Sequence, residues 1–434
     1  MIAEPVQDHP APASKHHAAF FRQSGWMMIA TVAAGAMTLG VHFLSKRIPE
    51  SQYSIFGTLL MVTSCLPTLP LQMVFAQQTA SALATNRERQ LAGMIRRTWF
   101  WITMVWLAGA AAIFILQGRI IQGWQLTDPM ALWVTLLTVL VLLWSPMFLG
   151  VLQGRQDFFW MGWVAILGGL FRVVVAVVLV LALNSGATGM MAGALLGGIS
   201  GVGICIWLTR DLWLLRREAF VGRDLLRQVL PLVLGFGACQ FMFTYDTMFA
   251  KAYFTGDEMA PYVAAGTFSR ALLWLVLPLA AVMFPKIVHH SIRSEKVNLL
   301  GIVLAGTAGL AICGGLGLCI VGPWVVRLVF TSSYVPATTA LLPWYAGAMV
   351  PLALANVLVN DLLARARFRV VPVMVVLAVA YGITLPFVLS HFRRLDAVLQ
   401  TLGAFNLLLL GAAAWAAFGK WDSRPAAAPS HGQR

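Results

Sequence analysis

RQVLPLVLGFGACQFMFTYDTMFAKAYFTGDEMAPYVAAGTFSRALLWLVLPLAAVMFPK (Arg227–Lys286) is the stretch that decides the fold. It reads as two membrane-spanning helices joined by the short polar turn Tyr253–Glu258. Within that oily sequence sit an acid, Asp246, and a base, Arg270. A charge at the centre of a bilayer costs ~2.5–3.5 kcal/mol on insertion scales, so such residues face a bundle interior or a wet cavity rather than lipid.

The rest of the chain has the same character. Of its 434 residues, 59% are hydrophobic and 11% charged, against about 25% charged in a soluble domain. Such a sequence cannot cover itself with a water-facing surface. Lipid admits only helices or closed barrels, and the long unbroken apolar runs exclude a barrel, which predicts an all-α polytopic membrane protein. The net charge of +14 does not imply nucleic acid, because the basic residues sit in short connections rather than in a soluble domain. The five cysteines (Cys65, Cys205, Cys239, Cys313, Cys319) lie singly in apolar segments, as small packing residues do, with no CxxC and no His cluster beside them.

Taking roughly 20 residues per span predicts about twelve spans, near 22–44, 55–83, 98–118, 130–152, 158–183, 187–209, 228–250, 262–285, 297–322, 337–360, 370–390 and 397–418. Pro67 and Pro70 are expected to kink the second. With the N-terminus inside, about 21 Lys and Arg fall in inner tails and loops against about 7 outside, the bias of a chain with both termini cytoplasmic. The expected organisation is a loose, disordered cytoplasmic tail (1–19), a six-helix lobe (20–209), a cytoplasmic amphipathic linker (210–227), a second six-helix lobe (228–418) and a second tail (419–434).

The halves read as a repeat. Arg22-Gln23 matches Arg227-Gln228, Tyr53-x-x-x-Gly57 matches Tyr262-x-x-x-Gly266, and LQGRQDF (Leu152–Phe158) matches LLARARF (Leu362–Phe368), at offsets of about 205, 209 and 210. Six spans per half leaves both halves in one orientation, related by a pseudo-two-fold along the membrane normal.

Enzymatic activity is not expected: no loop exceeds about twenty residues, and no P-loop, HExxH or GxSxG occurs. A transport cavity fits better. Thr31, Gly35, Thr38 and His42 share one face of span one, and Gly235, Cys239, Met242 and Asp246 share one face of span seven, as ordinary helix packing also would. Thr58, Cys65 and Gln72 make a mildly polar stripe on span two. Arg172 sits about midway along span five, beyond the reach of snorkelling. A guanidinium grips phosphate bidentately, so Arg172 and Arg270 are either substrate ligands or, with Asp246, parts of a structural ion pair. Asp246 is also a candidate proton- or sodium-coupling carboxylate. Asn356 and Asn360 on span ten suggest interhelical hydrogen bonding. No metal or cofactor is called for beyond possible H+ or Na+ coupling.

Four stretches carry a family resemblance: FLSKRIPESQYSIFGTLL (Phe43–Leu60), LQGRQDFFWMGW (Leu152–Trp163), TYDTMFAKAYFTGDEMAPYVAAGTFSRAL (Thr244–Leu272) with Pro285, and VVRLVFTSSYVPATTALLPWYA (Val325–Ala346). Over about residues 20–418 the chain resembles the oligosaccharide flippase branch of the MATE-like superfamily, which holds O-antigen exporters and, more distantly, lipid II flippases. The resemblance implies alternating access between two lobes. It implies an undecaprenyl-pyrophosphate-linked oligosaccharide carried from the cytoplasmic to the periplasmic leaflet of a bacterial inner membrane, with Arg172, Arg270 and His42 as candidate substrate-binding residues. Expected partners are membrane lipids, the glycosyltransferases and polymerase of polysaccharide synthesis, and no nucleic acid. Lipid II flippases carry more spans and several span-one arginines, whereas span one here has Arg22 alone. The rival readings are a cation-coupled multidrug exporter, a lipid II flippase, or a scaffold that recruits polysaccharide enzymes.

Overall fold

The structure, a computed structural model, describes the backbone of residues 13–216, 218, 222–291, 299–365 and 367–419. Side chains are described over the same residues apart from 13–24, 222–225, 228, 274–291, 299, 302 and 364. The first half folds as α1 (Ala13–Gly40), a 3-10 segment (Val41–Arg47), α2 (Glu50–Ser64), α3 (Thr68–Ala84), α4 (Glu88–Gly123), α5 (Pro129–Gly154), α6 (Phe158–Leu183), α7 (Gly186–Leu208) and the single turn α8 (Arg210–Trp213). The second half holds α9 (Gly222–Ala250), α10 (Gly256–Ser291), α11 (Leu299–Val329), α12 (Tyr334–Ala364), α13 (Val371–His391) and α14 (Leu395–Phe418). Eleven helices are long and apolar enough to cross a membrane among the described residues, with α2 and α3 forming one broken span. By position α10 is the twelfth.

Two six-helix lobes result. α6 packs on α7 and α1, and α5 on α3 and α7; in the other lobe α12 packs on α10, α11 and α14, and α13 on α9 and α14. The lobes meet where α2 crosses α10 and α9, and where α3 meets α9. Small residues bring the backbones together there: a Cβ on Gly57 would lie 2.1 Å from Val263 Cγ1, and one on Gly256 2.7 Å from Ser51 Cβ.

The expected kink is a full break. α2 ends at Ser64 and α3 begins after Pro67. The Ser64 carbonyl, without an intrahelical donor, accepts from Gln240 Nε2 of the other lobe at 2.6 Å. Beyond this mid-depth bond, side chains cross between the lobes at the end of the bundle away from the Arg87, Arg155 and Arg365 loops. Lys46 Nζ donates to the Leu328 carbonyl at 2.8 Å, Ser333 Oγ to Glu50 Oε1 at 2.7 Å, and Lys251 Nζ to Ser54 Oγ at 2.9 Å. The lobes are therefore joined at this far end.

Two sequence expectations change. Residues 13–19, assigned to a loose tail, continue α1 as helix, while 1–12 and 420–434 lie outside the described residues. The expected linker (210–227) is helical at both ends, and 217 and 219–221 lie outside the described residues. Its first turn stops at Trp213, where Arg96 caps the free carbonyls of Trp213 and Leu215 at 2.7 and 2.9 Å, and α9 already begins at Gly222. Several basic residues counted toward the orientation (Lys15, Arg22, Arg217, Arg223, Lys286, Arg293, Lys296, Lys420, Arg424, Arg434) have side chains outside the described set.

The turn into α10 carries a reciprocal cap. The Thr255 N–H donates to Glu258 Oε2 at 2.8 Å, and the Glu258 N–H reaches Thr255 Oγ1 at 3.4 Å. The Thr255 N–H holds the Glu258 carboxyl below the usual range, helped by the Thr255 hydroxyl and by Arg393, and only partly opposed by burial. The stability this adds is present above the carboxyl's unfolded pKa and is lost as pH falls through its lowered value. Thr255→Ala should cost ~1 kcal/mol, seen as a lower apparent Tm at neutral pH, with the difference from the parent narrowing in acid. An unchanged Tm at neutral pH would refute the cap.

Candidate functional site

Arg172 sits in the interior of α6, whose neighbours are held close by small residues. A Cβ on Gly193 would lie 2.6 Å from the Arg172 carbonyl oxygen, and one on Gly197 would lie 2.5 Å from the Gly168 carbonyl oxygen. α7 can approach α6 at this distance only through glycine. On the other flank, a Cβ on Gly169 would lie 3.3 Å from Met37 of α1. These small residues leave a cavity of about 230 Å³ between α1, α5, α6 and α7, lined by Thr38, Ser145, Gly168, Gly197, Gly201 and Arg172 among others.

Arg172 lines this cavity, and its guanidinium is incompletely used. Arg172 Nε and Nη2 are buried and have no hydrogen-bond partner among the described residues. These two N–H groups form one edge of the guanidinium fork, the edge that takes two oxygens of a carboxylate or phosphate at once. Arg394 uses the same two atoms on the carboxylate of Asp396, at 3.1 and 2.7 Å. Leaving such donors dry and unpaired is costly.

Arg270 is placed differently. Of the two roles left open by the sequence, it occupies the ion pair: Nη2 lies 2.7 Å from Asp246 Oδ1, with the two side chains 6% and 0% exposed. Nη2 also donates to Thr247 Oγ1 at 2.8 Å, and Nε to the Phe243 carbonyl at 3.0 Å. Asp246 Oδ2 accepts from the Tyr262 hydroxyl at 2.7 Å, from Thr247 Oγ1 at 3.2 Å and from the Tyr345 hydroxyl. A Cβ on Gly266 would lie 2.7 Å from Arg270 Nη1 and 2.9 Å from the Tyr345 hydroxyl, so a larger residue there would shift one of these side-chain ends. The result is a closed polar staple joining α9, α10 and α12. Tyr345 was missed by sequence reasoning, and Tyr262 appeared only as a repeat landmark.

His42 is buried in the 3-10 segment, its Nδ1 2.8 Å from the Tyr53 hydroxyl and its ring edge-on to Phe56. Neither His42 nor Arg270 lines the Arg172 cavity; His42 lies within reach of the Arg172 charge, whereas Arg270 is held in the ion pair of the other lobe. Thr38 lines the cavity, whereas Cys239, Met242 and Asp246 are buried packing residues of α9. Gln72 Nε2 donates to Gln153 Oε1 at 3.0 Å. Asn360 Nδ2 donates to the carbonyl and Oδ1 of Asn356, both at 2.8 Å, so these bonds lie within one helix rather than bridging two.

The same two-lobed architecture occurs in solved structures. An inward-facing multidrug resistance MATE family transporter of the MOP superfamily superposes with a TM-score of 0.68 at 13% identity, over 88% of this chain and 93% of that one. The chain shares the fold of that transporter. Lipid II flippase MurJ, in an inward closed conformation, matches with a TM-score of 0.68 at 13% identity over 90% of this chain and 86% of its own. An outward-facing MATE transporter gives 0.59 at 13% identity, over 92% and 94% of the two chains. No family model matches the sequence. Uncharacterised proteins of Mycobacterium tuberculosis and Mycobacterium bovis are 33% identical over 100 residues, covering 23% of this chain and 22% of theirs, so the match spans about a fifth of those relatives' length.

Proposed function

We propose that this chain is a flippase of the bacterial inner membrane, with its basic loops cytoplasmic. Its cargo is an undecaprenyl-pyrophosphate-linked oligosaccharide, moved from the cytoplasmic to the periplasmic leaflet by alternating access. The observation that carries the reading is the unpartnered bidentate edge of Arg172, a residue that lines a cavity walled largely by small residues. It suits a phosphoryl group and repels a cationic drug. Because that cation belongs to the first lobe, the reading seats the headgroup there, with Thr38 and Ser145 as the neighbouring hydroxyls. Glycosyltransferases would supply such a cargo and a polysaccharide polymerase would consume it.

Asp246 is the candidate coupling carboxylate. Neutralising it would remove the charge that Arg270 pairs with, loosening α9 from α10. A flipping assay in proteoliposomes with a labelled lipid-linked sugar tests the proposal. Arg172→Ala should lose at least about tenfold in rate, the worth of one charge-assisted hydrogen bond. Arg172→Lys should keep part of it, because an ammonium supplies the charge without the fork. Full transport by Arg172→Ala would reject the site.

A further inference from the structure

Two lysines bridge the lobes at the far end, and the repeat makes them counterparts. The offset of about 205 that carries Arg22 onto Arg227 also carries Lys46 onto Lys251. Each follows the first span of its lobe, Lys46 at the end of the 3-10 segment and Lys251 directly after α9. Each reaches into the opposite lobe.

Their environments differ. Lys46 is exposed, and its Nζ donates to the carbonyls of Leu328 and Arg327 at 2.8 and 3.4 Å, while Ser45 Oγ donates to the Val329 carbonyl at 3.3 Å. These are the last carbonyls of α11, which lack intrahelical donors and form the negative end of the helix dipole. A cation there gains attraction while staying hydrated. Lys251 is 1% exposed, and its Nζ donates to the Ser54 hydroxyl at 2.9 Å, with no ion pair to a carboxylate among the described residues. An ammonium carries three donors, and burying one on a single neutral partner is unfavourable. Burial holds the Lys251 pKa down to about 8, although Asp257 pulls it the other way.

We propose that this pseudo-symmetric pair sets the opening equilibrium of the far end: Lys46 holds the lobes together, and Lys251 drives them apart. A closed contact built with one favourable and one strained cation stays reversible. The inference rests on the transport reading only in supposing that the far end opens. A merely structural role would have both lysines stabilise the joined state, so opposed signs distinguish the two.

A reporter cysteine reads opening without any cargo. Val263 is 3% exposed and lies against Gly57 in the seam. Val263→Cys in the full chain, in vesicles with the far end outside, is treated with a water-soluble, membrane-impermeant maleimide. The chain without the reporter gives the background of the native cysteines. Lys46→Met should speed modification about tenfold, the scale of one hydrogen bond from a charged donor. Lys251→Met should slow it several-fold, and the double variant should return towards the parent. Shifts in the same direction, or none, overturn the proposal. Ser51→Cys, which lies against Gly256 in the same seam, repeats the measurement should Val263→Cys misassemble. Opposed signs with no flipping would sink the flippase reading alone, and like signs with intact flipping would sink this one alone.

Discussion

Asp246→Ala is expected to be the most destabilising single substitution in the chain, by ~3–5 kcal/mol, because it strands a buried cation. Arg270 is 5% exposed and would keep the Thr247 hydroxyl and the Phe243 carbonyl as neutral partners. The hydroxyls of Tyr262 and Tyr345 would lose their common acceptor in the same step. Arg270→Ala should cost a comparable amount by leaving the carboxylate without its cation. The double variant Asp246→Leu/Arg270→Met removes both charges at similar volume and should recover most of the loss. Thermal inactivation of purified protein in detergent, at one fixed heating rate, compares the three. A double variant as unstable as the sum of the singles would show that the pair does not act as a unit.

Gly197→Val should be nearly as damaging, for a different reason. Its Cβ would lie 2.5 Å from the Gly168 carbonyl oxygen and 2.9 Å from Arg172 Cβ. The nearer obstacle is backbone, so no rotamer change relieves it, and α7 must move off α6. Overpacking of this kind costs ~1–3 kcal/mol or more, and here it also deforms the wall behind Arg172. Flipping should therefore fall at least as far as in Arg172→Ala, together with a lower apparent Tm. Gly203→Ala on the same helix, with no heavy atom within 4 Å of its Cβ, is the control and should change neither. A functional Gly197→Val would mean that the α6–α7 contact is not what shapes the cavity.

The sequence showed what depends on local chemistry. Span lengths, an interruption at Pro67 (expected as a kink, found as a break) and the repeat offsets all come from composition or from residues close in the chain, so they could be read one stretch at a time. The pairing of Asp246 with Arg270 was legible as one of two roles, since any buried charge needs a partner. Choosing between the roles was not possible, because the deciding residue, Tyr345, is 99 positions from Asp246. His42 shared a helical face with Thr38, but the turn to 3-10 geometry at Val41 rotates it off that face and into contact with Tyr53. The free edge of Arg172 was hidden for the same reason as the staple: an absent partner is a property of three neighbouring helices. The glycines that make room for it, Gly193 and Gly197, look in sequence like any small-residue packing stripe.

The interrupted second span has one more consequence. Ser64 offers its carbonyl to a glutamine on the opposite lobe at mid-depth, where lipid supplies no donor. If the lobes separate there, that oxygen and the Gln240 amide are left bare unless water takes their place. Hydration of the seam must therefore accompany its parting, so any substitution that dries the interior around Cys65 and Gln240 should slow the conformational cycle without touching the cargo site.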